Sequence, residues 1–188
     1  MYKQCRTEQS AARQRQLLEG FLDAMLQENF ESISVSSLCD RLEIPRKSFY
    51  RYFSSKEGAL NALIDQTLLD FESFTEKNIS DSGSARQELE RMFAYWLHKR
   101  RLLDALQKSG LSGVLVNRAI GHSLLERFDR GRFRTVEEQE AGEYITLFAV
   151  SGFLSVVIQW HHGGYRQTAQ QMAQIGLRLV SEPLAPNL

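Results

Sequence analysis

The sequence predicts an all-α protein of about nine helices, with an N-terminal three-helix helix-turn-helix head and a larger helical body. Three observations carry this. Strand-type alternation is absent throughout, and apolar residues recur instead at helical spacing. A serine or threonine stands three residues ahead of a glutamate or glutamine at Ser54/Glu57, Ser84/Gln87, Thr135/Glu138 and Thr168/Gln171. That is capping-box spacing, each time just before an apolar helical stretch. With 188 residues, three prolines and 43% hydrophobic content, the chain can also bury a sizeable core.

Helix one is expected from about Ser10 to Asn29, turning Leu17, Phe21 and Met25 inward. In the second, Val35, Leu38 and Leu42 form the inward stripe, Cys39 fills a small apolar slot, and Ser34 caps the start. Pro45 suits the first turn of the third helix, where a missing N–H costs little. Phe49 and Phe53 are one helical turn apart and share a face. At about 3.6 residues per turn, Lys47 and Arg51 fall on the opposite face, flanked by Ser48 and Tyr50. A short helix with an apolar heel and a basic, hydroxyl-bearing outer face is shaped to enter a DNA major groove. A charged helix face is also often only solvated, so the geometry alone leaves both readings open.

The fourth helix is expected from Ser55 to about Lys77, with Leu60, Leu63, Ile64, Leu68 and Phe71 inward. The polar stretch from Ile79 to Ser84 reads as a linker. Next come a helix with Leu89, Phe93, Trp96 and Leu97 on its apolar side and a short one from Arg100 to Lys108, broken at Ser109-Gly110. Another runs from Val114 to about Arg130, ended by Gly131. The segment Tyr144 to Gly164 contains no Asp, Glu, Lys or Arg. About 20 apolar residues would span a bilayer, but Thr146, Ser151, Ser155, Gln159, His161 and His162 interrupt the run. A helix apolar on nearly every side is instead expected to be buried in a core or against a partner. Phe148, Gly152, Val156 and Trp160 form one core-facing stripe and Ile145, Ala149, Phe153 and Val157 its neighbour. Leu147, Val150, Leu154 and Ile158 are left to face a second subunit. The last helix, Thr168 to about Ser181, adds Met172, Ile175 and Leu179 to a four-helix interface between two copies.

Ser34-Val35, Leu38, Ile44-Pro45-Arg46, Ser48-Phe49-Tyr50-Arg51-Tyr52-Phe53, Ser55-Lys56-Glu57 and Leu60 together resemble the N-terminal signature of TetR/AcrR-type helix-turn-helix transcriptional regulators. The match covers roughly the first third of the chain. Two positions depart from it: Glu43 stands where that family usually has a turn glycine, and Lys47 where a small residue is frequent. The resemblance implies a DNA-binding domain over residues 1–56 and an effector-binding and dimerisation domain over residues 57–188. It also implies a homodimer formed through the last two long helices and, more often than not, repression. Two recognition helices about 34–36 Å apart would then read successive turns of a palindromic double-stranded operator.

Within the head, Lys47, Tyr50 and Arg51 are the candidates for groove entry, with Arg46 and Ser48 at its edge. Arginine matches a guanine edge in bidentate fashion, whereas Tyr50 and Lys56 suit phosphates. Ser34 and Ser36 can present hydroxyls to the backbone, and Tyr52 either braces the helix or contacts DNA. The resemblance implies a small-molecule pocket in the body, with an apolar ligand if any. Phe93, Trp96, Phe128, Tyr144, Phe148 and Trp160 are its candidate lining, although aromatics at helical spacing more often fill a core.

Composition limits the alternatives. Twenty-three Lys and Arg balance 23 Asp and Glu, which argues against a polyanion-coating protein; affinity for DNA must come from a local patch, supplied by Arg41, Arg46, Lys47, Arg51 and Lys56. Two cysteines, Cys5 in a polar tail and Cys39 in the core, make no disulfide scaffold. The first residues lack an apolar core and are not a signal peptide, so a cytoplasmic protein without membrane attachment is expected. His98 and His122 are isolated, His161 and His162 point to different helix faces, and no phosphate loop or zinc spacing occurs. No catalytic residue, metal or cofactor is therefore expected. The competing reading is a helical dimer that binds protein or sequesters a ligand with a degenerate head. Such a head would have lost Tyr50, Arg51 or Lys56, and all three are present.

Overall fold

Helix after helix in this chain begins on a hydroxyl that accepts a hydrogen bond from an otherwise unpaired N–H of the first turn. The computed structural model describes residues 2–3, 7–78, 84–129 and 136–181, without the side chains of 78, 124–129, 136–139 and 180–181. Thr7 caps α1 (Glu8–Gln27), accepting from Ser10 N at 3.2 Å. Ser34 caps α2 (Val35–Arg41) and Pro45 precedes α3 (Arg46–Tyr50). The cap of α4 (Lys56–Asn78) is Ser55, which accepts from Gly58 N at 3.2 Å; the Ser54/Glu57 box expected there is displaced by one residue. Ser84 and Gln87 form the expected box on α5 (Ala85–His98). After α6 (Arg100–Lys108), α7 (Ser112–Asp129) and α8 (Val136–His162), Thr168 and Gln171 cap α9 (Ala169–Ser181) reciprocally. Thr135, Gly131 and the segment 79–83 lie outside the described residues.

Three helices end in the same way. At the end of α2, Ile44 N–H reaches Cys39 O and Glu43 N–H reaches Asp40 O, the paired bonds of a Schellman motif. The pattern recurs at Gly110 and Gly164, both with positive φ. At the first site the left-handed residue is Glu43, φ 51°. The turn keeps the geometry a glycine would give, at the cost of crowding a Cβ.

The described residues group into two compact units, the first comprising Met1–Thr67 and Arg101–Arg118. Its core joins Phe21 and Met25 of α1, Leu38 of α2, Phe49 of α3, Ile64 of α4 and Leu106 of α6, all nearly or fully buried. At Gly20 a Cβ would run into Leu42 Cδ2, so α1 and the end of α2 approach closely. α6 grips the C-terminus of α1: Lys108 Nζ donates to Leu26 O and Gln27 O at 2.9 and 2.7 Å, placing a cation on unpaired carbonyls. A 3₁₀ turn, Phe30–Ser32, follows α1, which ends two residues earlier than the periodicity suggested. The chain start is tied in as well. Lys3 N–H donates to Tyr52 O at 2.9 Å, and Tyr2 O–H donates to Asp65 at 2.6 Å. Asp65 also takes both forks of Arg118.

The second unit comprises Leu68–Arg100 and Ala119–Leu188. α5 and α9 pack along one another, closely at Gly176, where a Cβ would meet Leu89 at 3.4 Å and Phe93 at 3.5 Å. The core is aromatic: Phe153 stands 5.2 Å from Phe93 and 6.3 Å from Phe71, and Phe93 meets Trp160 edge-on at 5.7 Å. Such pairs add specific geometry to large apolar burial.

α8 lies in a different rotation from the one the sequence suggested. Gly142, Thr146, Leu154, Val157, Trp160 and His161 are its buried residues among those described, and Val150 and Phe153 are half-buried beside them. Leu154, expected on the outer face, is 3% exposed. Tyr144, Ile145 and Phe148, expected inside, are 73%, 61% and 70% exposed. From Tyr144 onward α8 has no charged residue, and a charge-free stretch carries little phase information, so its sequence could not orient it. Among the described residues, Glu140–His162 is long and apolar enough to cross a membrane by length and composition alone, with mean hydropathy 1.7.

Candidate nucleic-acid interface and ligand cavity

The outer face of α3 is built on a buried heel. Phe49 and Phe53 are each 1% exposed, their rings 5.2 Å apart, and Phe53 N–H donates to Phe49 O as in a continuing helical turn. The helix proper spans only Arg46–Tyr50, yet this turn keeps the two rings on one side. Arg46, Lys47, Tyr50 and Arg51 are exposed on the other side, with Ser48 half-buried between. Tyr50 rests edge-on against Phe49 at 5.7 Å while 52% exposed, so one side of its ring is supported and the residue stays open to solvent.

The remaining head candidates separate into supports and exposed groups. Ser34 is the cap of α2, and its hydroxyl exchanges bonds with Ser37. Ser36 Oγ accepts from the Arg46 guanidinium and so steers the first side chain of α3. Tyr52 is 7% exposed and belongs to the core, bracing α3; its burial removes it from the contact surface. Lys56 is also committed inward: Nζ donates to Phe30 O at 3.0 Å and Glu31 O at 3.1 Å and lies 4.6 Å from the Phe30 ring centroid. The Lys56 ammonium thus ties α4 to the turn after α1. Glu57 beside it is held below its usual range by the Ser55 hydroxyl and its own backbone N–H. Cys39 is fully buried, which pushes its thiol up, while Cys5 lies outside the described residues.

The second unit contains a cavity of about 210 Å³. Leu68, Phe71, Met92, Phe153 and Leu154 form most of its apolar wall, and Glu72, Thr75, His122 and Ser123 bring polar atoms to it. His122 Nδ1 and Glu72 Oε1 are 2.7 Å apart. Trp96, also lining the cavity, is 0% exposed, and its indole N–H has no acceptor among the described residues. A buried donor left unpaired costs about 1–3 kcal/mol.

Of the five proposed pocket aromatics whose side chains are described, Trp96 alone lines this cavity. Phe93 is plain core, Tyr144 and Phe148 are exposed, and the Phe128 side chain lies outside the described residues. Trp160 is buried, with its indole N–H donating to Gln167 O at 3.0 Å. It borders a shallower hollow together with Met172, Ile175 and Leu179. Among the residues assigned to a subunit interface, Leu147, Ile175 and Leu179 are exposed, Ile158 is half-buried, and Met172 is 4% exposed. Val150 and Leu154 line the cavity instead. Sequence reasoning missed Glu72 and His122, which sit 50 positions apart and share no local pattern.

Comparisons with known proteins agree with this architecture. The protein of Streptomyces coelicolor described as a TetR-family transcriptional regulator is 19% identical, with a TM-score of 0.63 over 94% of this chain and 99% of that one. The fatty acid degradation regulator FadR of Bacillus halodurans is 14% identical, TM-score 0.62, over 92% and 96%. FadR of Bacillus subtilis, in complex with stearoyl-CoA, is 15% identical, TM-score 0.57, over 91% and 99%. At these identities the likeness is one of fold. No curated protein matches. Residues 17–63 match the family described as bacterial regulatory proteins, tetR family, and residues 84–182 match that family's transcriptional regulator C-terminal region. A capped helix-turn-helix with a basic outer face and a C-terminal match spanning more than half the chain lead to one assignment: this protein belongs to the TetR family of bacterial transcriptional regulators.

Proposed function

We propose that this regulator is a cytoplasmic homodimer that reads a palindromic operator through α3, represses the adjacent promoter, and releases DNA when a small apolar effector enters the cavity of the second unit. The observation that carries the DNA reading is the exposure of Arg46, Lys47, Tyr50 and Arg51 on a helix seated by two fully buried phenylalanines. A rigid support lets a short helix present base-reading groups without losing register. Lys47 and Arg51 suit base edges, and Tyr50 suits a phosphate. In this reading residues 1–56 form the DNA-binding part and residues 57–188 the effector-binding and dimerisation part.

Dimerisation is supported by the exposed apolar surface of α8 and α9, where Ile145, Phe148 and Leu179 lie open. A second copy suits this surface better than a bilayer, because Ser155, Gln159 and His162 are exposed on the same helix and would be stranded in hydrocarbon. The effector reading is supported by the cavity itself, and by a similarly folded regulator having been solved with stearoyl-CoA.

Selection of genomic fragments by the purified protein tests the whole reading. Recovery of a two-fold site with half-sites about one helical turn apart is expected. Arg51→Ala should weaken binding to that site by about 1–3 kcal/mol and relax preference at one position per half-site. Failure to enrich any sequence would instead favour a ligand- or protein-binding dimer with an inactive head.

A further inference from the structure

We infer that Lys3 is a further DNA contact, a cation held on the C-terminal flank of α3 that takes a backbone phosphate of the operator. The inference rests on the DNA reading of α3 and extends that interface to the segment ahead of α1. This segment is tied down at four points. Lys3 N–H donates to Tyr52 O at 2.9 Å, and Lys3 O accepts from Gln14 Nε2 at 3.0 Å. Tyr2 pairs with Phe53 in an antiparallel bridge, and its hydroxyl donates to Asp65 at 2.6 Å. Both backbone polar groups of Lys3 are thus engaged, one of them by the residue that follows Arg51. With the backbone already ordered, a contact by this lysine costs only side-chain freedom.

The bridge also sets the direction in which the side chain leaves. Residues directly opposite in an antiparallel pair share a face, and successive residues alternate between faces. Phe53 is 1% exposed and Tyr2 reaches Asp65, itself 6% exposed, so the face they share is the inner one. Lys3 therefore leaves on the opposite side, where it is exposed. The basic face of α3 likewise lies opposite Phe53, so Lys3 continues it beyond Arg51. The two sequence candidates on this flank are committed elsewhere. Tyr52 belongs to the core, and Lys56 Nζ donates to Phe30 O and Glu31 O. Among the described residues the Lys3 ammonium forms no hydrogen bond or ion pair. A lysine offers phosphate a compact point charge, and such contacts position a protein on DNA without reading its sequence.

Full-length parent, Lys3→Gln and Lys3→Arg are compared by fluorescence anisotropy at several salt concentrations. The probes are a duplex carrying the site that the parent selects and a random-sequence duplex of equal length. Each phosphate contact contributes about 0.9 to the slope of log affinity against log salt. Lys3→Gln should therefore flatten the slope by about 1.8 when two copies bind, and should weaken both duplexes by the same factor. Lys3→Arg, which keeps the charge, should retain the parent slope. Melting temperatures of both variants should match the parent's, since the anchoring bonds of Lys3 are made by its backbone. An unchanged slope in Lys3→Gln would overturn the contact and leave Lys3 a solvated side chain. A loss confined to the selected site would overturn the phosphate assignment in favour of base reading. Failure of the parent to bind either duplex would overturn the DNA reading of α3 itself, an outcome distinct from the other two.

Discussion

Phe148 offers the sharpest test of the proposed dimer. It is 70% exposed on α8, one turn from Ile145 and Tyr144, which are 61% and 73% exposed. An aromatic side chain of this kind buries roughly 200 Å² when fully covered, so the open part amounts to about 140 Å². At about 25 cal/mol/Å² that is about 3.5 kcal/mol per subunit, present twice across a two-fold interface. Allowing for half of it to remain wet still leaves about 3.5 kcal/mol per dimer, or a few hundred-fold in dissociation constant. Phe148→Glu removes this and sets two carboxylates near one another. Sedimentation velocity at micromolar protein should show monomers, while the circular dichroism spectrum and melting temperature of the monomeric fold stay close to the parent's. Leu154→Ala is the contrasting variant. Leu154 is buried inside the subunit, so truncation should cost about 2–5 kcal/mol of folding stability and leave association intact. A Phe148→Glu protein that sediments as the parent dimer would refute the assignment of this face.

Three further expectations come from the head. Glu43 holds a left-handed conformation at φ 51°, a strain of about 1–2 kcal/mol partly offset by the greater freedom glycine has when unfolded, so Glu43→Gly should raise the melting temperature by about 2–4 °C; an unchanged or lower value would show that no strain is stored there. Lys56→Ala should cost about 1.5 kcal/mol of stability by leaving two carbonyls without their charged donor, and should leave the salt dependence of operator binding unchanged. A normal melting curve with a salt slope shallower by about one unit would return Lys56 to phosphate contact. Tyr2 is pushed up from 10.0 to about 12, first by burial and then by its bond to Asp65. Its neutral form is favoured in the folded state, so the stabilisation is complete below the unfolded value and is lost as pH rises from about 10 to about 12. Discounted for partial exposure this is about 1 kcal/mol. Urea midpoints at about pH 9 and 11.5 should therefore converge for parent and Tyr2→Phe at the higher pH; parallel curves would contradict the link.

The head was largely legible from sequence because its determinants are local. A cap and the amide it satisfies lie three residues apart at Ser34 and Ser37, and Phe49 and Phe53 lie one turn apart. Helical periodicity alone then places Lys47 and Arg51 opposite the two rings. Tyr52 and Lys56 were less legible. Their roles depend on the N-terminal segment and on the turn at Phe30, which the periodicity of α1 did not announce.

By itself the sequence determined an all-helical chain, the starts of most helices, the basic outer face of α3 and the family to which these belong, since each depends on residues within a turn or two of one another. Tertiary structure decided the rest. α8 has apolar residues on every side, so only packing against Phe71 and Phe93 selects Leu154 and Val157 for the interior and leaves Phe148 outside. The cavity follows from that choice of rotation. It joins Glu72 to His122 across 50 residues, a juxtaposition no local pattern encodes because it exists only once four separate helices, α4, α5, α7 and α8, have closed around it.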